Sequence, residues 1–121
     1  MTTTRQKLGS WGETLAAEYL ARKGYTVLEC NVRTPHGEID LVTQQGVATV
    51  FVEVKTRSST AYGPPESAIT STKQAHLLAA AQAYLQTHPE LEGDWRIDVI
   101  AIRRRKGMKP EIVHFENAVS G

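Results

Sequence analysis

Gly37-Glu38-Ile39-Asp40-Leu41-Val42-Thr43-Gln44, a Gln45-Gly46 turn, then Ala48-Thr49-Val50-Phe51-Val52-Glu53-Val54-Lys55 is the most informative stretch of this chain. Its apolar alternation and β-branched content predict two strands, Glu38–Gln44 and Ala48–Lys55. The tight turn between them implies antiparallel pairing. Ile39, Leu41 and Thr43 fall on one face of the first strand, and Glu38, Asp40 and Val42 on the other. In the second, Val50, Val52 and Val54 lie opposite Phe51, Glu53 and Lys55. Asp40 and Glu53 thus sit inside segments that otherwise read as core. Strand interiors normally exclude carboxylates, because an unpaired buried charge is costly. Lys55, two residues after Glu53, shares its face about 7 Å further along. Pairing of the two strands lets Asp40, Glu53 and Lys55 converge on one patch.

Upstream, Tyr25–Arg33 reads as a further strand, and Thr34-Pro35-His36-Gly37 as a turn. A helix is expected before it, beginning between Thr4 and Ser10 and ending at Lys23. Leu8, Trp11, Leu15 and Tyr19 form its apolar stripe, widened by Ala16 and Leu20. Gly24 supplies the stop, and Ser10 with Glu13 matches a capping box. Downstream, a loop from Thr56 to about Thr70 contains Gly63-Pro64-Pro65. Ser71–Thr87 is the second expected helix, opened by a Ser71-Thr72-Lys73-Gln74 capping box and halted before Pro89. Its stripe is Leu77, Leu78, Ala81, Tyr84 and Leu85. Asp94–Arg103 and Pro110–Phe115 read as the last strands, joined by the basic hairpin Arg104-Arg105-Lys106-Gly107. A strand, helix, strand succession from Ala48 to Arg103 predicts a right-handed crossover with parallel pairing. The expected class is α/β: a mixed five-stranded sheet, antiparallel meander plus parallel crossover, flanked by helices.

With 121 residues the chain has room for one domain, taken as residues 1–121. A hydrophobic fraction of 40% and a charged fraction of 22% argue against wholesale disorder. The formal net charge of +1 excludes a polybasic binder, though not local patches. Cys30 alone forms neither an internal disulfide nor a thiolate zinc cage, and reads as a small buried hydrophobe. No apolar run approaches the ~20 residues a bilayer needs. Arg5 and Lys7 are followed by no apolar segment, so no signal peptide and a cytoplasmic location are expected.

Two carboxylates held within ~5 Å repel unless a cation stands between them. Oxygen ligands of this kind suit Mg²⁺ or Mn²⁺, completed by water and phosphate. Such an ion acidifies bound water and stabilises charge on a phosphodiester transition state. An ammonium at Lys55 then orients the water or neutralises charge. This division of labour fits phosphodiester hydrolysis.

Gly37-Glu38-Ile39-Asp40-Leu41 followed by Val50-Phe51-Val52-Glu53-Val54-Lys55-Thr56-Arg57 resembles the D…ExK core of the PD-(D/E)xK nuclease superfamily, with Ile39 where the superfamily name has proline. From about residue 5 to 115 the chain is similar to the YraN family of small bacterial endonuclease-like proteins, relatives of archaeal Holliday-junction resolvases. Gly9 through Leu20 with Gly24-Tyr25, Asn31-Val32-Arg33, and Tyr62-Gly63-Pro64 to Lys73-Gln74 carry the remainder of the likeness. The resemblance implies a restriction-endonuclease-like core, with metal ligation by Asp40, Glu53 and the Val54 carbonyl. It gives Lys55 the water-positioning role, and Glu13 that of an extra acidic residue supporting metal or water. It also implies a DNA partner, branched or single-stranded. Cutting both strands of a junction requires two active sites, so a symmetric dimer is expected.

Gln74, one turn into the second helix, is placed to meet a phosphate or an active-site water. Arg33, Arg57, Lys73, Arg104 and Arg105 are the candidate nucleic-acid contacts. Each feature also has a plain structural reading. Glu53 can pair with Lys55 or Arg57, Glu38 with Arg33, and Glu13 and Gln74 can cap their helices. The basic hairpin can be merely solvated. His36, His76, His88 and His114 lack metal-ligand spacing and read as surface residues. The functional alternatives are a metal-dependent endonuclease, a non-catalytic nucleic-acid-binding module, and an adaptor docking through an apolar or Tyr62–Pro65 surface.

Overall fold

The structure is a computed structural model describing residues 4–58 and 69–119. Helix α1 (Thr4–Arg22) leads into β1 (Thr26–Thr34), β2 (Gly37–Gln45) and β3 (Ala48–Arg57). After the loop come α2 (Ser71–Gln86), a short 3-10 turn at Pro89–Leu91, β4 (Trp95–Arg103) and β5 (Glu111–Val119). The five strands form one sheet in the order β1-β2-β3-β4-β5. Only β3 and β4 are parallel, as the intervening helix requires, and the other pairs are antiparallel. This is the expected α/β class, consistent with a restriction-endonuclease-like core.

One helix covers each face. On the α1 side, Ala16 and Leu20 pack with Leu41, Val50, Val52, Ile100 and Ile102. On the α2 side, Leu77, Ala81 and Tyr84 pack with Val42, Phe51 and Ile97. The alternation therefore holds in β3 and largely in β2. Ile39 departs from it, joining the cluster of Val42 instead of Leu41. The β2–β3 pairing ends at Leu41↔Val52, while β2 stays paired to β1 through Val32↔Ile39. Ile39 follows β1 where the strands part.

The buried centre of α1 is Gly12, Ala16 and Leu20, with Trp11, Leu15 and Tyr19 half-buried at its flanks. Gly12 has a steric reason to be glycine, since a Cβ there would collide with Thr56 Oγ1 on β3. Gly12→Ala is therefore expected to destabilise the chain by about 1–3 kcal/mol in urea unfolding. Adding Thr56→Ala should recover part of the loss, the signature of a direct contact in a double-mutant cycle.

Several sequence expectations need correction. The N-cap of α2 is Thr70, whose hydroxyl accepts from the Lys73 N–H at 3.1 Å, so the cap lies one residue before Ser71. Cys30 is exposed, because β1 is an edge strand with only Val32 buried. The His114 side chain is 3% exposed and bonded to Asp98, so it is not a surface residue. β5 runs past Phe115 to Val119 through a register shift. The Tyr62–Pro65 surface lies outside the described residues. Among the described residues, no helix is long and apolar enough to cross a membrane.

Candidate active site

Where β2 leaves β3, a side chain replaces the backbone ladder. Asp40 Oδ2 accepts the Val54 N–H at 2.8 Å. The carboxylate is thereby fixed in the gap between the strands, on the side from which Glu53 also projects. Glu53 is 5% exposed, and among the described residues its Oε2 has no hydrogen-bond partner. Two ammonium groups face it: Lys55 Nζ lies 3.7 Å from Oε1 and Lys73 Nζ lies 3.7 Å from Oε2. Both distances permit ion pairing but are too long for a hydrogen bond.

The electrostatics are those of carboxylates short of positive charge. Burial, then the charge of Asp40, push the Glu53 carboxyl up to about 7, although Lys73 and Lys55 pull it down. Asp40 is also raised, chiefly by burial, against the opposing Val54 N–H and the two lysines. Glu13 is raised by burial and by Asp40, with the Asn31 side chain pulling the other way. α1 thus brings Glu13 within electrostatic reach of the strand carboxylates. Opposite Asp40 in the β1–β2 ladder, Asn31 takes a left-handed backbone (φ 54°), a conformation asparagine tolerates.

A carboxylate raised by burial favours the folded state most when neutral, so stability declines as pH rises through its folded value. For Glu53 the window runs from about 4.5 to about 7 and corresponds to about 3 kcal/mol. Urea midpoints of the metal-free protein are therefore expected to be lower near about pH 8 than near about pH 5. Glu53→Gln should remove most of that difference.

The sequence-selected residues do not all gather here. Asp40, Glu53, Lys55 and Glu13 do. Lys73, read as a nucleic-acid contact, instead joins the carboxylates, because the first turn of α2 overhangs Glu53. Gln74 directs its amide to the Ile69 carbonyl at 3.4 Å, beside a cavity of about 480 Å³. Val54 enters through its N–H, and its carbonyl, on the same edge of an extended strand, points to the same gap. Glu38 is exposed and pairs with Arg33 at 3.2 Å, at the β1–β2 hairpin. Arg57 and Arg104 meet at the other end of β3, where the Arg104 N–H bonds the Arg57 carbonyl at 2.7 Å. Arg105 closes its own hairpin by donating to the Lys109 carbonyl at 2.9 Å.

Sequence reasoning passed over a second buried carboxylate. Asp98, fully buried in β4, accepts from Arg96 Nε at 2.9 Å, the Asn117 N–H at 2.9 Å and His114 Nε2 at 2.8 Å. Burial alone would raise its pKa, but bonds from His114, Arg96 and Asn117 hold it below the usual carboxylate range. Arg96 also donates to Tyr25 Oη at 2.9 Å and Gln45 Oε1 at 3.0 Å. Asp98 has every partner it needs; Glu53 has not.

A divalent cation fits the first cluster by donor chemistry. Two carboxylates and a strand carbonyl offer hard oxygen ligands, and one buried carboxylate oxygen has no hydrogen-bond partner among the described residues. Among the described residues, no three His, Cys, Asp or Glu side chains stand close enough to hold a metal by themselves. Water and a substrate phosphate would have to complete the shell.

A family model described as "Uncharacterised protein family UPF0102" matches residues 12–102. A UPF0102 protein of Syntrophotalea carbinolica is 46% identical over 118 residues, covering 98% of this chain and 95% of the relative. One from Syntrophomonas wolfei is 47% identical over 113 residues, covering 93% and 97%. One from Geobacter metallireducens is 47% identical over 118 residues, covering 98% and 96%.

Proposed function

Since the chain belongs to the UPF0102 (YraN) family and holds two raised carboxylates between two lysines, we propose that it is a divalent-metal-dependent endonuclease acting on structured or single-stranded DNA. The observation carrying this reading is Glu53 Oε2, buried beside Asp40 without a hydrogen-bond partner among the described residues. Native proteins rarely leave such an atom unsatisfied, and a cation satisfies it directly. Asp40, Glu53 and the Val54 carbonyl would hold Mg²⁺ or Mn²⁺. When bound, that ion acidifies water and neutralises charge on the scissile phosphate.

The chain's own residues supply the remainder. The Val54 N–H fixes Asp40, so this ligand keeps one orientation. Lys55 reaches the carboxylate pair from β3 and Lys73 from α2, so a cation held by those carboxylates would free both ammonium groups for water and phosphate. Lys55 then donates to the attacking water, and Lys73 meets a non-bridging phosphate oxygen. Glu13 supports the water from α1. Water adds to phosphorus and gives up a proton to solvent, the P–O bond to the leaving strand breaks, and the departing oxygen takes a proton from solvent.

The test is a cleavage panel of junction, flap, single-stranded and duplex DNA, plus RNA, each with Mg²⁺, Mn²⁺ or EDTA. Cleavage of at least one DNA form with either metal and none in EDTA is expected. A second reading has its own observation: Lys55 and Lys73 together already balance Glu53 and Asp40. It makes the protein a non-catalytic DNA-binding module whose lysines do the work of the cation. DNA binding unaffected by Mg²⁺, without cleavage of any substrate, would favour it.

A further inference from the structure

At the far end of β3, about 10 Å beyond Lys55, a cavity of about 610 Å³ opens between α1 and the β4–β5 hairpin. Its floor is Trp11, and its wall is Ser58, Arg104, Arg105, Lys106 and Met108. No acidic residue lines it among those described. The Arg104 guanidinium stands over the Trp11 ring, 5.6 Å from its centroid. Met108, 63% exposed, adds a soft apolar rim. Arg104 is exposed, and the hairpin is tied to β3 through the Arg57 carbonyl.

This combination has a specific chemical partner. A phosphate alone needs no aromatic floor, and an apolar ligand alone needs no row of cations. A nucleotide needs both: a flat face for its base and cations for its phosphates. The base must also be free to leave its stack, which a paired duplex does not allow. Trp11 and Glu13 are two residues apart on α1, turned about 200° from each other around the helix. One helix thus presents Glu13 toward the carboxylates and Trp11 toward the hairpin, on either side of the Gly12–Thr56 contact.

We propose that this cavity is a subsite for single-stranded DNA, in which a base takes the place of the Arg104 guanidinium over Trp11, and Arg104 and Lys106 hold the neighbouring phosphates. Its purpose, to hold the strand a few nucleotides from the carboxylates, rests on the nuclease reading. Binding itself is measurable without cleavage.

The experiment uses full-length Trp95→Phe protein, so that Trp11 is the sole tryptophan, in EDTA. It is titrated with oligo-dT of ~12 nucleotides, the abasic strand of the same length, oligo-rU, and duplex DNA. Oligo-dT should quench Trp11 emission, with the abasic strand binding roughly tenfold more weakly. Trp11→Leu, read by anisotropy of labelled oligo-dT, should weaken binding by about the same factor. Arg104→Gln should lower the salt slope by about one. Oligo-dT binding with unchanged Trp11 emission, equal affinity for the abasic strand or the duplex, tighter binding of oligo-rU, or no binding at low salt would each overturn the proposal. Quenching by oligo-dT without cleavage by the wild-type protein in Mg²⁺ would remove the nuclease reading and leave the subsite standing. Cleavage with unaltered Trp11→Leu affinity would do the reverse.

Discussion

Glu53→Gln is expected to lower DNA cleavage at saturating Mg²⁺ by about a thousandfold or more, about 4 kcal/mol of transition-state stabilisation. The amide is nearly isosteric, so the fold persists. What changes is charge: the site keeps its shape and loses one of the two carboxylates proposed to hold the cation. Asp40→Asn should do the same, with an added loss of orientation, because an amide accepts the Val54 N–H more weakly than a carboxylate does. The two losses should not add, since either variant disables the same unit. The metal-free Glu53→Gln protein should also outlast the wild type in urea near about pH 8, where the native carboxylate is ionised against its burial. Lost cleavage with gained stability is the signature of a strained functional charge. A merely structural ion pair would show both losses together.

Asp98→Ala carries the largest expected stability effect, about 3–5 kcal/mol. Truncation leaves the Arg96 guanidinium, His114 and the Asn117 N–H without their common acceptor at a fully buried position. Asp98 also works in the opposite direction from Glu53 with pH. Its carboxyl is held low, so its contribution is present above the ordinary aspartate range and is lost as acid protonates it. Denaturant unfolding of Asp98→Ala should show the loss at neutral pH, shrinking as pH falls below about 4. A loss below about 1 kcal/mol would contradict this account of the network.

The same sequence signal marks Asp40, Glu53 and Asp98: a carboxylate within an otherwise apolar strand. At the third, Arg96 two residues earlier shares its face and pairs with it. Alternation alone does not say which of these carboxylates is satisfied. That depends on His114 and Asn117, which reach Asp98 from β5, and on Tyr25, which accepts from Arg96. Asn117 turns its N–H to Asp98 through a left-handed backbone at the β4–β5 register shift. Nothing in the local pattern announces that bulge. The strand meander was legible because its turns are short and its apolar periods regular. The nearness of Lys73 to Glu53 was not legible because it depends on where α2 lands, and one-dimensional pattern carries no docking angle. Cys30 was misread because composition predicts burial for cysteine, whereas edge position is a property of the assembled sheet. By spacing alone Trp11 belongs to the core stripe. Its place in the cavity depends on the β4–β5 hairpin, which one-dimensional spacing does not locate.

Metal binding is the step on which the account depends, and it is separable from cleavage. Titration of the metal-free protein with Mn²⁺, followed by electron paramagnetic resonance and calorimetry, measures it directly. The account predicts about one ion per chain, displaced by Mg²⁺ and released by acid as the carboxylates protonate. It also predicts that Asp40→Asn and Glu53→Gln abolish the signal and Lys55→Met does not. No binding at millimolar Mn²⁺, or undiminished binding in both carboxylate variants, would contradict it.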